Sequence, residues 1–428
     1  MAVHGDADRP PNLPDEIPRF AVLSSLRDYQ WGWLRADIAA GLAIAAVGLP
    51  SAIAYPAIAG LPRETGIYAS IASVIGYALF GPSRRLMVGP DAATIAVLAG
   101  VLAAVFQAMP AGTQSDRAMV AALIALIVGA TCLGASVLKL GNLSSQLSRP
   151  MLVGFFVGVA LSIIMGQIGK VAGVPILSDG VFDPITELWD HADSIHWPSV
   201  ALSAAMFAIL QLCRKGRFAI PGPLIVVVLS LLLSYLLDFE AHGIAILGDL
   251  PNGLPGLSLP RLAGLPLQEL ILGSAAVFVV SFGAGIITAR SFAVQTGDHV
   301  NPNAELTGFG AANIASGLLG GFPVTSSDSR TAVNLSIGGR TQVAGLTAAL
   351  TLAAGMLFFG GTLRLLPIPS LAVILISAAL SVIDLTGLAQ IWRISRVEFL
   401  FAMIAMLGAI GFGVLQGVGS ALAATFIY

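Results

Sequence analysis

The stretch Gly320-Gly-Phe-Pro-Val-Thr-Ser-Ser-Asp-Ser-Arg-Thr-Ala-Val-Asn334 decides how this chain is read. It opens on Gly and Pro, which do not sustain a helix, passes into a Ser/Thr/Asp cluster that starts one, and sets Arg330 in the first turn. Apolar segments flank it on both sides. A guanidinium at membrane depth costs roughly 2.5–3.5 kcal/mol even on lenient insertion scales, so it needs a pairing partner, water or a ligand. The macrodipole at a helix start is already positive, so a basic residue there is locally unfavourable and the natural partner is an anion.

A second interruption, Val88-Gly-Pro-Asp-Ala-Ala-Thr-Ile-Ala96, lies 236 residues upstream of Val324 and has the same form. Each begins with extended Gly/Pro-rich sequence and runs into a short apolar helix. Interrupted helices at matching positions of two halves point to a transporter site at an inverted-repeat interface. Irregular backbone is not tolerated against lipid, so both breaks are expected to be buried or to line a wet cavity, aiming two helix N-termini at one point.

The rest of the chain sets the frame. Its 428 residues are 56% hydrophobic and 10% charged, with mean hydropathy +0.89, which excludes an ordinary soluble domain. The reading is an all-α polytopic membrane protein. Fourteen segments are predicted, the first near 37–59 and the last near 412–427, with half-helices at the third (92–109) and tenth (327–337). Residues 1–36 form a cytoplasmic N-terminal segment whose stretch Phe20–Trp33 is amphipathic, and no signal peptide opens it. Residues 37–428 are the transport domain, with a first repeat over about 37–237 and a second over about 269–428. Assigning Lys and Arg to sides gives fifteen inside and five outside, with Arg330 in the membrane, so both termini are expected in the cytoplasm of a cell with this protein in its inner membrane.

Several function classes drop out. Cys132 and Cys213 lie in apolar segments and make neither a disulfide framework nor a metal site, and the five histidines lack ligand spacing. There is no Gly-Lys-Ser/Thr phosphate cradle and no catalytic constellation at membrane depth, so no enzyme, no cofactor and no nucleic-acid partner are expected. Arg330 reads as an anion site, with an ion pair to Asp328 or another buried carboxylate as the alternative. Asp91 and Asp328 read as helix caps, with coupling to H+ or Na+ as the alternative. Glu305 reads as a cap or inner-rim residue, and Asn313 and Asn334 as bonding between helices. Two helix starts at about +0.5 each and Arg330 at +1 sum to about +2, which falls to about zero if both aspartates are ionised and near.

The chain resembles the SulP family of anion permeases and exchangers, which also contains prestin. The matching pieces are Ala54-Tyr55-Pro-Ala-Ile-Ala-Gly60, Tyr77-Ala-Leu-Phe-Gly-Pro-Ser-Arg84, Val88-Gly-Pro90, Ala289-Arg-Ser-Phe-Ala293, Gly321-Phe-Pro323 and Ser329-Arg-Thr-Ala-Val-Asn334. The resemblance implies a seven-plus-seven inverted repeat, a core domain rocking against a gate domain, a homodimer, and an anion site between the third and tenth helices. It assigns Ser51 and Tyr55 to the substrate side of the first span and Ser329 with Arg330 to the tenth, and Ala92, Ala93 and Ser327 complete the expected set. Three departures stand out. Ser51 replaces a common Gln, Ala284 replaces a common Asp or Glu of the eighth span, and no STAS domain follows the last span in this chain. Sulfate is the first substrate expected, with bicarbonate or a dicarboxylate behind it and an anion channel as the other class. A nucleobase permease would favour a carboxylate in the eighth span, against which Ala284 and Arg330 speak.

Overall fold

The computed structural model describes residues 29–109, 116–141, 149–176, 183–215, 222–248, 253, 256–257 and 264–411. The segment predicted at 412–427 and most of the amphipathic stretch from Phe20 lie outside these residues. Trp31–Trp33 forms a single 3-10 turn ahead of the first long helix.

The first half supplies α1 (Leu34–Ala54), α2 (Glu64–Phe80), strand β1 (Val88–Gly89), α3 (Ala92–Ala108), α4 (Arg117–Val137), α5 (Arg149–Met165), short α6 (Ile168–Ala172), α7 (Asp183–Asp190), α8 (Trp197–Lys215) and α9 (Gly222–Leu237). The second supplies α10 (Leu267–Thr296), α11 (Pro302–Leu318), strand β2 (Thr325–Ser326), α12 (Asp328–Ile337), α13 (Val343–Leu363), α14 (Ile368–Val382), α15 (Leu385–Ile394) and α16 (Arg396–Gly411). Among the described residues, five helices could each cross a membrane by length and composition: Trp31–Ile58, Arg117–Val137, Trp197–Arg214, Leu267–Arg290 and Val343–Leu363. Glu64–Phe80, Ala92–Ala108 and Gly222–Leu237 are shorter apolar helices.

The two interruptions meet. β1 and β2 pair antiparallel, Val88 opposite Ser326 and Gly89 opposite Thr325. Each strand ends in a helix start, but the helices differ. α12 has 10 residues, about 15 Å and half a bilayer. α3 has 17 residues, about 25 Å, so by length the predicted half-helix at the third segment is longer than half.

Two sets of helix contacts stand out. α1 lies against α12 and α13, α10 against α3 and α4, and α2 and α4 both against α11. In the other set α5 packs on α16 and α14, and α14 on α8. Small residues allow the close crossings: a Cβ added to Gly154 of α5 would collide with the Ala402 carbonyl oxygen of α16. Each strand-helix arm therefore rests on a span from the other half of the chain, α12 on α1 and α3 on α10.

Candidate functional site

Arg330 sits in the first turn of α12 and is 5% exposed. Its guanidinium crosses to the other arm, where Nη2 donates to the Pro90 carbonyl at 2.7 Å. Proline supplies an acceptor with no competing N–H, and it ends the strand two residues before α3 begins. Gly89 makes the approach possible: a Cβ there would stand 2.6 Å from Nη1 and 2.9 Å from Nη2. Gly48 of α1 flanks the aliphatic stem, 3.5 Å from Cδ by the same construction.

The two aspartates part company. Asp91 is the N-cap of α3, its Oδ2 accepting from Ala93 N at 3.0 Å and Thr94 N at 3.1 Å. Asp328 is not the cap expected of it. Ser327 holds the N-cap position of α12 and its side chain makes no capping bond. Asp328 lies one residue inside the helix, exposed, and its Oδ1 accepts from Thr288 Oγ1 of α10 at 2.6 Å. Thr288 is one turn beyond Ala284 on that helix.

The remaining predicted residues surround this pair of turns unevenly. Ala92 and Ala93 are buried at the start of α3. Ser327 and Ser329 hydroxyls lie 3.4 Å apart, the second of them exposed. Tyr55 opens the short 3-10 turn after α1, packs against both apolar clusters of the molecule, and lies within electrostatic reach of Asp91 and Arg330. Asp328 is within reach of Asp91. Ser51 is half-buried and its hydroxyl donates back to the Gly48 carbonyl at 2.9 Å, so its link to Arg330 runs through Gly48. Beside Arg330 is a cavity of about 10 Å³ bordered by Gly48, Ser70, Val74, Met87 and Val88, room for about one water and too small for an oxyanion.

A polar framework holds the arms, and of its members sequence reasoning missed Gln342 and Thr331. The Gln342 amide, 1% exposed, donates to the carbonyls of Ser83 at 2.9 Å and Leu86 at 2.7 Å. Asn334 Nδ2 donates to Arg85 O at 2.8 Å and Thr331 Oγ1 accepts from Met87 N at 3.1 Å. Asn313 brackets Val324, donating to its carbonyl at 3.0 Å and accepting from its N–H at 2.9 Å. Both asparagines bond backbone of the extended segments. Glu305 is neither cap nor rim: Asn301 caps α11, while Glu305 is fully buried and accepts from Tyr77 at 2.7 Å and Ser83 at 2.5 Å. Each carboxylate oxygen thus receives one hydroxyl donor inside the protein.

Residues 34–405 match the sulfate permease family. The chain belongs to that family. Its relatives include a probable sulfate transporter of Mycobacterium tuberculosis, 40% identical over 401 residues that make up 94% of this chain and 71% of that protein. The chloroplastic sulfate transporter 4.1 of Arabidopsis thaliana is 30% identical over 424 residues, 94% of this chain and 60% of that one. The fold is that of the transmembrane domain of a cyanobacterial bicarbonate transporter, BicA (TM-score 0.80, 24% identity, covering 92% of this chain and 98% of that one). It is also that of the murine Solute Carrier 26 family member A9 anion transporter in its inward-facing state (TM-score 0.86, 19% identity, covering 98% and 73%). This sulfate permease family member is thus a multi-pass membrane transporter and not an enzyme.

Proposed function

We propose that the chain moves a small oxyanion, sulfate first, across the cytoplasmic membrane by alternating access, and that the anion binds at the meeting of the β1–α3 and β2–α12 turns. The observation that carries this is the Arg330 guanidinium, drawn from one turn onto the Pro90 carbonyl of the other. A neutral carbonyl leaves most of the guanidinium's charge uncompensated, and its planar fork suits a tetrahedral oxyanion. The start of α12, which no side chain caps, adds backbone N–H groups in the same turn as Arg330. Substrate contact falls to Ser51, Tyr55, Ala92, Ala93, Ser327, Ser329 and Arg330. The sulfate transporters among the relatives agree with sulfate as substrate.

The reading includes a seven-plus-seven inverted repeat with a core and a gate domain. The exchanged packing of α12 on α1 and α3 on α10 supports it, as does the antiparallel pairing of the arms. The electrostatics favour coupled transport. Asp91 lies within electrostatic reach of Arg330 and Asp328 within reach of Asp91, and where both are ionised their charges offset the site's charge of about +2. A divalent anion then enters with H+ or Na+, and Asp328, held by Thr288 beside Ala284, is the residue placed to take the cation in the absence of an eighth-span carboxylate.

The experiment is uptake into proteoliposomes with labelled sulfate, bicarbonate, chloride, fumarate and uracil, with and without pH and sodium gradients. Gradient-driven sulfate accumulation is expected. Uptake of any anion that passively follows its own gradient, with no response to pH or sodium, points instead to a channel or an exchanger.

A further inference from the structure

We propose that α15 lies in the plane of the membrane surface and that Arg393 and Arg396 hold the headgroup of an acidic phospholipid. α15 has 10 residues, about 15 Å, and joins two apolar helices, α14 and α16, without being long enough to cross a bilayer itself. Its ends are built to turn the chain. Asp384 caps the start by accepting from Gly387 N at 2.7 Å. Ser395, extended at φ −148° and ψ 115°, breaks the helix before α16.

The exposed surface of this corner is apolar and aromatic, with Leu385 67%, Trp392 48% and Ile394 81% exposed, and it carries Arg393 and Arg396. Such a mixture matches the interfacial zone of a bilayer, where indole rings and arginine heads sit at headgroup level over an acyl interior. The geometry of the corner is fixed. The Arg396 guanidinium stacks 5.2 Å over the Trp392 ring, and Trp392 meets Phe399 edge-on at 4.8 Å. Stacking on an aromatic face leaves the guanidinium edge, with its N–H donors, free to point outward to a phosphate.

Charge argues for an anionic occupant. Among the described residues neither arginine has a carboxylate within ion-pair distance; Asp384 is turned to Gly387 and Thr386, and Glu398 makes its contact through its backbone N–H to Ser395. Residues 412–428 contain no Asp or Glu. Two cations on an apolar surface with no carboxylate at hand among the described residues suit a bilayer surface, and a phospholipid with net negative charge satisfies both. α15 packs on α16 and α5, neither of which bears Arg330, so the lipid contact is an anchor distinct from the anion site.

The test uses the full chain reconstituted in phosphatidylcholine vesicles holding equal fractions of brominated phosphatidylcholine or brominated phosphatidylglycerol. The Trp392 signal is obtained by difference against Trp392→Phe. Stronger quenching by the brominated acidic lipid is expected, with local enrichment of about five-fold per arginine that declines as salt is raised. Arg393→Gln/Arg396→Gln should keep the quenching by phosphatidylcholine and lose the headgroup preference. Equal quenching by the two lipids in the parent overturns the proposal, and this arm needs no arginine variant to fold. No quenching by either lipid overturns it as well, by placing α15 off the bilayer, and a preference that survives in the double variant removes the arginines from it.

Discussion

The two strand-to-helix turns share a plan and differ in how each is finished. At the start of α3 the chain caps itself, Asp91 taking the N–H groups of Ala93 and Thr94. At the start of α12 the cap position is Ser327, which takes none, and the neighbouring carboxylate of Asp328 leaves for Thr288. The extended approaches differ as well. Residues 83–87 before β1 are held by Gln342, Asn334 and Thr331 from the other half of the chain. Residues 322–324 before β2 are held by Asn313 and Ser316 of the adjacent α11. One turn is closed by its own side chain and serves as a platform. The other has no side-chain cap, carries the charge, and is where we propose that the anion binds.

Arg330→Ala should break the comparison most severely, because it removes the one full positive charge at the open turn; sulfate uptake is expected to fall to background while the protein still inserts. Arg330→Lys should restore only part of it, since an ammonium lacks the planar fork. Uptake at parental rate by a well-folded Arg330→Ala protein would show that the anion binds elsewhere.

Gly89→Ala addresses the contact between the turns. A methyl 2.6 Å from Nη1 cannot coexist with the present guanidinium position, so affinity for sulfate should drop by about ten-fold or more, the effect of losing a charge-assisted hydrogen bond worth about 1.5–3 kcal/mol. The measurement is KM for uptake alongside thermal stability. A shift in melting temperature with KM unchanged would place Arg330 in the scaffold.

Asp328→Asn and Asp91→Asn sharpen the contrast between open and closed turns. The first should preserve anion exchange and abolish accumulation driven by a pH or sodium gradient. The second should reduce stability by about 1 kcal/mol or less, since an amide still caps, and should leave gradient dependence as in the parent. If both variants accumulate sulfate with the parent's pH response, neither aspartate couples.

Ser51→Gln is expected to have the smallest effect. Among the described residues its hydroxyl bonds only to Gly48 of its own helix, so stability should change by about 1 kcal/mol or less, while competition among anions of increasing size should change order. An unaltered order would place Ser51 outside the substrate path.

How much of this was legible depended on the range of the interaction. Asp91 as a cap could be read because a cap and its N–H partners are two or three residues apart. Asp328 could not, because its partner Thr288 is 40 residues away on another helix and the same residue type suits either role. Glu305 followed the pattern of a helix start, yet Tyr77, 228 residues earlier, claims its carboxylate. No local signal marked Gln342, whose three carbonyl partners belong to the opposite half.

The membrane class, the two breaks and the buried arginine are written in the order of residues, because each is a local free-energy statement: apolar length suits lipid, Gly and Pro cannot continue a helix, and a guanidinium at depth demands a partner. Which partner each polar group takes follows from the fold. The pairing of Val88 with Ser326 brings together segments more than two hundred residues apart, and only that packing aims Arg330 at Pro90 and turns Asp328 towards α10.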